Sequence, residues 1–380
     1  MFKKTPIIWT VVFGIFLFTS CSIIYWIDPL GTQFEDGEVP ALLYEAKEIT
    51  TPPAVGSSLT VMTFNIKFGG GRFVFYWERE GTKYNMTEDE VNGTMAEICA
   101  LIAAEDPDIL LVQEADRNSK RSAYVDQTQY ILDNTNLNYA AYAAIWKSDL
   151  IPSDGMQRMD SGNIVLSKWP LTEATRKPLV PNESGDALKD YFYFRRNIVR
   201  TKVDIPGHDN FYVLNIHAEP FATGAKDDNH VKKQHIDAFK DEMDRLALTG
   251  ATIIGGGDFN AVPEGSAEYV SFPDLVVQEN IKPDDYEGEE LWLKELYDTY
   301  NSAIPLAVFQ ADQAANYTFP STYYADIGTQ TEGSWNRTLD YLFSNSTFST
   351  GSVRQGIWSG STSGQPLSDH APIVAEMDLP

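Results

Sequence analysis

The chain has 380 residues, 43% hydrophobic and 12% aromatic, enough to bury a large core. Its 54 acidic residues against 29 basic ones give a net charge of -25, which excludes a basic nucleic-acid footprint at the level of the whole molecule. Two cysteines exclude a disulfide framework, and no internal repeat or low-complexity tract is present.

Lys3 and Lys4 precede an uncharged, mostly apolar run over residues 7–27, closed by Asp28. This pattern is either a secretory h-region or a bilayer-length span with the lysines on the cytoplasmic side, and both place the rest of the chain outside the cytoplasm. Within the run, Leu17-Phe18-Thr19-Ser20-Cys21 resembles a bacterial lipoprotein cleavage box with Cys21 as the lipidated first residue. Phe18 stands where Leu is usual, and the alternative is an uncleaved signal anchor. Residues 28–57, with Pro40, Pro52, Pro53, Gly56 and several acids, read as a linker from the membrane to one folded domain over 58–380.

The domain opens on apolar alternation over residues 59–65, a half-buried strand that ends at Asn65. Thr87 and Glu90 form a capping-box pattern, so a helix is expected from Glu88 with Val91, Met95, Ile98 and Ile102 on one face, ending before Asp106 and Pro107. Cys99 falls on that helix as a core residue. The run Ile109-Leu110-Leu111-Val112 is continuously apolar, as in a strand buried on both faces, and it delivers Gln113 and Glu114 to its end. Further strands are expected at 162–167, 198–203, 211–217, 252–255, 339–343 and 372–376, and helices at 228–246 and near 291–300. Residues 264–335 read as mostly irregular. Lys67, Arg72, Arg117, Lys120, Arg121, Arg195 and Arg196 mark a candidate local basic groove, and Phe73, Phe75, Tyr76 and Trp77 a candidate apolar wall or packed insertion.

Two residue pairs carry most of the chemistry. Asp258 and Asn260 follow a strand and three glycines, so extended geometry aims an amide and a carboxylate the same way. Asp369 and His370 precede the last strand and add an imidazole able to exchange protons near neutral pH. Asp340 is placed to orient that imidazole. Glu114 offers a hard oxygen ligand for Mg²⁺, with Asn65 holding the carboxylate or touching the metal, and His217 and Arg196 are placed to contact phosphoryl oxygens.

In chain order, Thr63-Phe64-Asn65, Gln113-Glu114, the segment 162–167, Arg196, Asn215-Ile216-His217, Gly257-Asp258-Phe259-Asn260, Leu339-Asp340-Tyr341 and Ser368-Asp369-His370 make the chain similar to the endonuclease/exonuclease/phosphatase superfamily of metal-dependent phosphoesterases. That resemblance implies an α+β fold, a four-layer α/β/β/α sandwich of two mixed sheets, with the active site along one edge. It implies Mg²⁺, or Mn²⁺ in its place, at Glu114 with Asn65 and Asp369. Asp258 and His370 share the base role with Asp340 behind His370, and His217 and Asn260 stabilise the pentacovalent phosphate. With the N-terminal segment and the acidic surface, the expected molecule is an exported, membrane-tethered, monomeric phosphodiesterase acting on a phospholipid headgroup or another small phosphoester. An anchored nuclease and an inactive surface-binding module are the alternatives.

Overall fold

The computed structural model describes residues 28, 30–71, 73, 75, 82–152, 155–220, 224–267, 286–320, 335–355 and 367–380. In chain order the first strands are β1 (Val39–Pro40), β2 (Leu42–Glu45), β3 (Ser58–Asn65), β4 (Ile109–Asp116), β5 (Tyr139–Ile151) and β6 (Gln157–Ser167). Then come β7 (Leu171–Pro178), β8 (Asn197–Val203), β9 (Phe211–His217), β10 (Thr252–Asp258) and β11 (Asn301–Ser302). The last are β12 (Phe319–Pro320), β13 (Trp335–Arg337), β14 (Asp340–Ser344), β15 (Phe348–Val353) and β16 (Ile373–Asp378). The helices are α1 (Glu88–Glu105), α2 (Gln127–Asp133), α3 (Ala187–Phe192), α4 (Val231–Ala247), α5 (Lys294–Thr299) and α6 (Leu306–Ala311).

Two seven-stranded sheets run in the orders β15-β16-β3-β4-β6-β5-β2 and β1-β7-β8-β9-β10-β14-β11. Each contains one parallel pair, β3 with β4 and β9 with β10, and each pair is joined by a crossover containing a helix, α1 or α4. Side-chain alternation explains the layers. In β4, Leu110 and Val112 pack against Val91, Met95, Ile98 and Ile102 of α1, while Ile109 and Leu111 face the other sheet. In β10, Ile253 joins Ile236, Phe239 and Met243 of α4, while Ile254 joins the layer between the sheets. A strand with both faces covered has no polar position, which is why Ile109-Leu110-Leu111-Val112 reads as an unbroken apolar run. The result is the expected four-layer α+β sandwich.

The α1 start follows its capping signal: Glu90 N–H donates to Thr87 Oγ1 at 3.3 Å and Thr87 N–H to Glu90 Oε2 at 2.8 Å. Cys99 is buried, and burial pushes its thiol up to about 12, so it is an inert core residue. Phe75 is buried and meets Phe68 edge to face at 4.9 Å, on the packing side of the two readings of that aromatic stretch; Tyr76 and Trp77 lie outside the described residues.

The linker reading of 28–57 needs correction. Val39–Pro40 pairs with β7 and Leu42–Glu45 with β5, so one segment adds an edge strand to each sheet. Edge position explains the polar, proline-bearing sequence, because Pro40 needs no ladder donor there and Leu42 and Leu43 face solvent. Within residues 264–335 the helix expected near 291–300 is α5, and α6, β11 and β12 are order the sequence did not announce, among the described residues. No helix among the described residues is long and apolar enough to cross a membrane, and the run over 7–27 and Cys21 lie outside them.

Candidate active site

Strand register brings the functional side chains together. Asn65 and Gln113 are partners across β3 and β4, His217 and Asp258 across β9 and β10, and Asp258 and Asp340 across β10 and β14. The C-terminal ends of both parallel pairs therefore open on one volume. β16 runs antiparallel to β3, with Ile373 opposite Thr63, so Asp369 and His370 just before it arrive at the same edge as Asn65. Glu114 is aimed by a break in register between Val112 and Ala115 and sits at φ 59°, an unfavourable backbone angle for a glutamate.

Asp258 is the convergence point. Its Oδ1 accepts from Asn260 N–H at 2.9 Å, and its Oδ2 accepts from Asn65 Nδ2 at 3.1 Å. His217 Nε2 and His370 Nε2 lie 3.5 and 3.6 Å from that same Oδ2. Burial, reinforced by the neighbouring Asp340, pushes the Asp258 carboxyl up to about 7 despite the opposing pull of His370. Burial alone would lower His370, but Asp340, 2.8 Å from its Nδ1, and Asp258 outweigh it and push the imidazole up to about 10. His217 is the reverse case: burial, with Arg196 and His370 adding to it, holds it well below its ordinary 6.5. It is thus neutral and its approach to Asp258 is not an ion pair.

Asn260 does not reach the site by strand alternation. It lies beyond the end of β10 at φ 50°, and the chain turns so that its backbone meets Asp258 while its Nδ2 donates to Ala218 O at 3.1 Å. Asn65 donates to Glu114 Oε1 at 3.2 Å as well as to Asp258, and its Oδ1 accepts from Lys67 N–H at 3.0 Å, so here the amide holds the carboxylates. Asp369 lies beside Lys67, at 3.7 Å. Asp258, Asp340 and His370 offer ligand atoms within 4.8 Å of one another, but the His370–Asp340 hydrogen bond occupies that cluster. Outside that cluster the remaining hard oxygens are Glu114 and Asp369, the latter beside Lys67; burial raises the Glu114 carboxyl first, and Asp369 repels its charge next. Two carboxylates that repel each other, one of them held by the Asn65 amide, suit a divalent cation.

Arg196 is 4% exposed; no hydrogen bond reaches its Nε or Nη1, and Glu219 Oε2 stays 3.7 Å away. Among the described residues the candidate basic groove is largely neutralised, although Lys67, Arg121 and Arg196 all line the cavity. Arg121 is bidentate to Asp116 at 2.9 Å, Arg117 is 2.6 Å from Asp160, and Arg72 lies outside the described residues. One partner, Asp116, is five residues upstream of Arg121 and the other, Asp160, comes from β6, and both take charge out of the stretch from Arg117 to Arg121.

Two supports were not legible as such. Gln113 Nε2 donates across the sheets to Asn215 Oδ1 at 2.7 Å, tying the strand of Glu114 to that of His217. Both lie beside residues singled out in the sequence, and their adjacency to Glu114 and His217 was the available signal. Behind Glu219, His235 accepts from Glu219 N–H at Nδ1 (3.2 Å) and donates from Nε2 to Val180 O (2.7 Å), which fixes a neutral tautomer. Burial lowers His235 from 6.5 to about 4. The unfolded chain therefore binds the extra proton first as pH falls, so stability is full above pH 6.5 and declines toward pH 4. Urea unfolding across that window should show a loss of about 3 kcal/mol that His235→Gln largely removes. A flat profile in the parent protein would refute the buried neutral imidazole.

The family model described as "Endonuclease/Exonuclease/phosphatase family" matches residues 62–370. An endonuclease/exonuclease/phosphatase structure from Beutenbergia cavernae DSM 12333 is similar at TM-score 0.54 and 19% identity, covering 85% of this chain and 72% of that one. A functionally unknown conserved protein from Enterococcus faecalis V583 is similar at TM-score 0.50 and 14% identity, covering 84% and 99%. TDP2 from C. elegans reaches TM-score 0.45 at 17% identity, covering 85% and 75%. A search of curated proteins gives no match. With the motif order, the paired sheets and a family match over most of its length, the chain belongs to the endonuclease/exonuclease/phosphatase family.

Proposed function

We propose that this protein is an exported, membrane-tethered, Mg²⁺-dependent phosphodiesterase that hydrolyses a small phosphoester or a phospholipid headgroup by attack of water at phosphorus. The observation that carries the reading is the convergence of Asn65, His217 and His370 on Asp258 Oδ2. A carboxylate poised near neutrality and surrounded by donors is suited to take the proton of an attacking water. In this reading His370, kept cationic by Asp340, does not act as the base at neutral pH but donates to charge building on the phosphoryl group. Neutral His217, Asn260 and Arg196 supply further donors for that charge. Glu114 and Asp369 would hold the cation, which supplies Lewis-acid stabilisation of phosphoryl oxygens. Lys3, Lys4 and the apolar run over 7–27 support export and tethering, with Cys21 as the lipidation site. Pairing of the basic residues with carboxylates supports a small substrate over a nucleic acid strand.

The test is hydrolysis of bis(4-nitrophenyl) phosphate by purified protein with Mg²⁺, with Mn²⁺ and with EDTA, beside plasmid and RNA degradation. Activity on the small diester that EDTA abolishes supports the reading; no hydrolysis with either metal overturns it, and preferential loss of plasmid or RNA moves it to a nuclease. Glu114→Ala should raise the Mg²⁺ concentration for half-maximal activity at least about tenfold, and should weaken the Mn²⁺ affinity read by calorimetry in parallel.

A further inference from the structure

The cavity that holds Asp258 and His370 does not end at them. Its volume is about 450 Å³, far more than one phosphoryl group occupies, and it continues along a wall made by Trp146 of β5, Met156 just before β6 and Phe194 before β8. Trp146 and Phe194 stand with ring centroids 4.6 Å apart at 41°. The one polar atom of Trp146 is already engaged, since Nε1 donates to Phe192 O at 2.8 Å, so the indole offers the cavity only apolar surface. Met156 is buried beside it, within a small apolar cluster against which Trp146 packs.

Charge on this side is settled too. Arg121 lies along the wall, but its guanidinium is bidentate to the buried Asp116 and stacks over Phe68 at 3.7 Å, leaving it no charge to offer a second phosphate. Arg196 stands at the junction of the two halves, 4.8 Å over the Phe194 ring, with Nε and Nη1 unbonded. The buried Glu219 carboxylate lies 3.7 Å from Nε and balances the charge without hydrogen-bonding it, so what a ligand oxygen would complete is the hydrogen bonding of Nε and Nη1. A ligand that satisfies Arg196 and fills the remaining space has an anion at one end and an uncharged apolar body at the other.

We infer that Trp146, Phe194 and Met156 form a specificity subsite for an uncharged apolar substituent esterified to the phosphate that Arg196 holds. This inference rests on the phosphodiesterase reading and narrows it: the substrate is a phosphodiester with one lipophilic ester group. Polyol polyphosphates and nucleic acid strands are disfavoured, because further phosphates would meet an apolar wall.

The experiment compares binding of benzyl, butyl and methyl phosphate, thymidine monophosphate and inositol monophosphate to the purified full chain by calorimetry with Mg²⁺ present. Benzyl and butyl phosphate should each bind at least about tenfold more tightly than methyl phosphate, as burial of a ring or short chain requires. Trp146→Ala and the milder Phe194→Leu should each shrink that ratio toward one, whereas Arg196→Ala should weaken all the monoesters together. The subsite is refuted if methyl and benzyl phosphate bind alike, if the preference survives both wall substitutions, or if the nucleotide or inositol ester binds tightest. Failure of every monoester to bind refutes it as well. Equal binding with diester hydrolysis intact defeats the subsite alone, whereas absence of both binding and hydrolysis defeats the phosphodiesterase reading.

Discussion

On the proposed phosphodiesterase reading, Asp258→Asn should lower hydrolysis by at least about 10³-fold in a protein that still folds. The size of the effect follows from geometry. Asparagine keeps an oxygen able to accept from Asn260 N–H, so the turn after β10 survives. It replaces the other oxygen, the one on which Asn65, His217 and His370 converge, with a group that cannot accept a proton. Asn65 Nδ2 would then face a second amide donor. His370 keeps Asp340 at 2.8 Å, so its charge remains compensated and the loss falls on catalysis. Steady-state kinetics should place the loss in kcat, with little change in KM, because a group that acts on the attacking water contributes in the transition state. Retention of a tenth of the parent kcat would remove Asp258 from the base role and return it to His370. His370→Gln separates the two assignments further, since it removes a cation and leaves Asp340 buried without its imidazole. That variant should lose stability as well as rate, measured by urea unfolding beside the assay.

What the sequence revealed, and what it hid, has a physical pattern. The strands β4, β9 and β10 were legible because burial on both faces forces apolar runs, and the polar residues that end those runs stand out as site candidates. Glu114, His217 and Asp258 were found in this way and Asn65 at the end of an alternating strand; register places Asn65, His217 and Asp258 on one edge, and the register break after Val112 brings Glu114 there. β5 was missed because its Ala140, Ala141, Ala143 and Ala144 carry little intrinsic strand preference; pairing with β6 along its length decides it instead. The role of Arg121 was hidden because Asp116 turns a candidate cation into a neutral buried pair. Trp146 and Phe194 are far apart in sequence and look like ordinary core residues, so only the folded chain shows them lining one cavity. Asn260 was found for an incomplete reason: the prediction that it shares a face with Asp258 assumed extended backbone, and the left-handed turn achieves the meeting differently.

Gly257→Ala should cost more than about 4 kcal/mol of folding stability, the largest single loss expected in the catalytic sheet. Gly257 has φ +131°, a region closed to L side chains, and a Cβ there would collide with the Ile216 carbonyl oxygen while sitting 2.9 Å from Asn215 Oδ1. Neither neighbour can retreat. Ile216 is the register partner of Gly257 in the parallel ladder, and Asn215 donates to Val112 O and Ile164 O at 2.8 Å while accepting from Gln113. The collision therefore presses on the cross-sheet tie that aligns Glu114 with His217. Gly224 supplies the control, because it has nearly the same φ, +129°, and a methyl group added there would meet nothing within 4 Å. Gly224→Ala incurs backbone strain alone, about 1–3 kcal/mol, so the difference between the two variants isolates the steric part. Urea unfolding of both measures it, and a Gly257→Ala midpoint as high as that of Gly224→Ala would show that β10 can move away from β9. In that event the glycines before Asp258 are no longer required for close strand approach, and the tie from Gln113 to Asn215 cannot be what fixes the spacing of the two halves of the site.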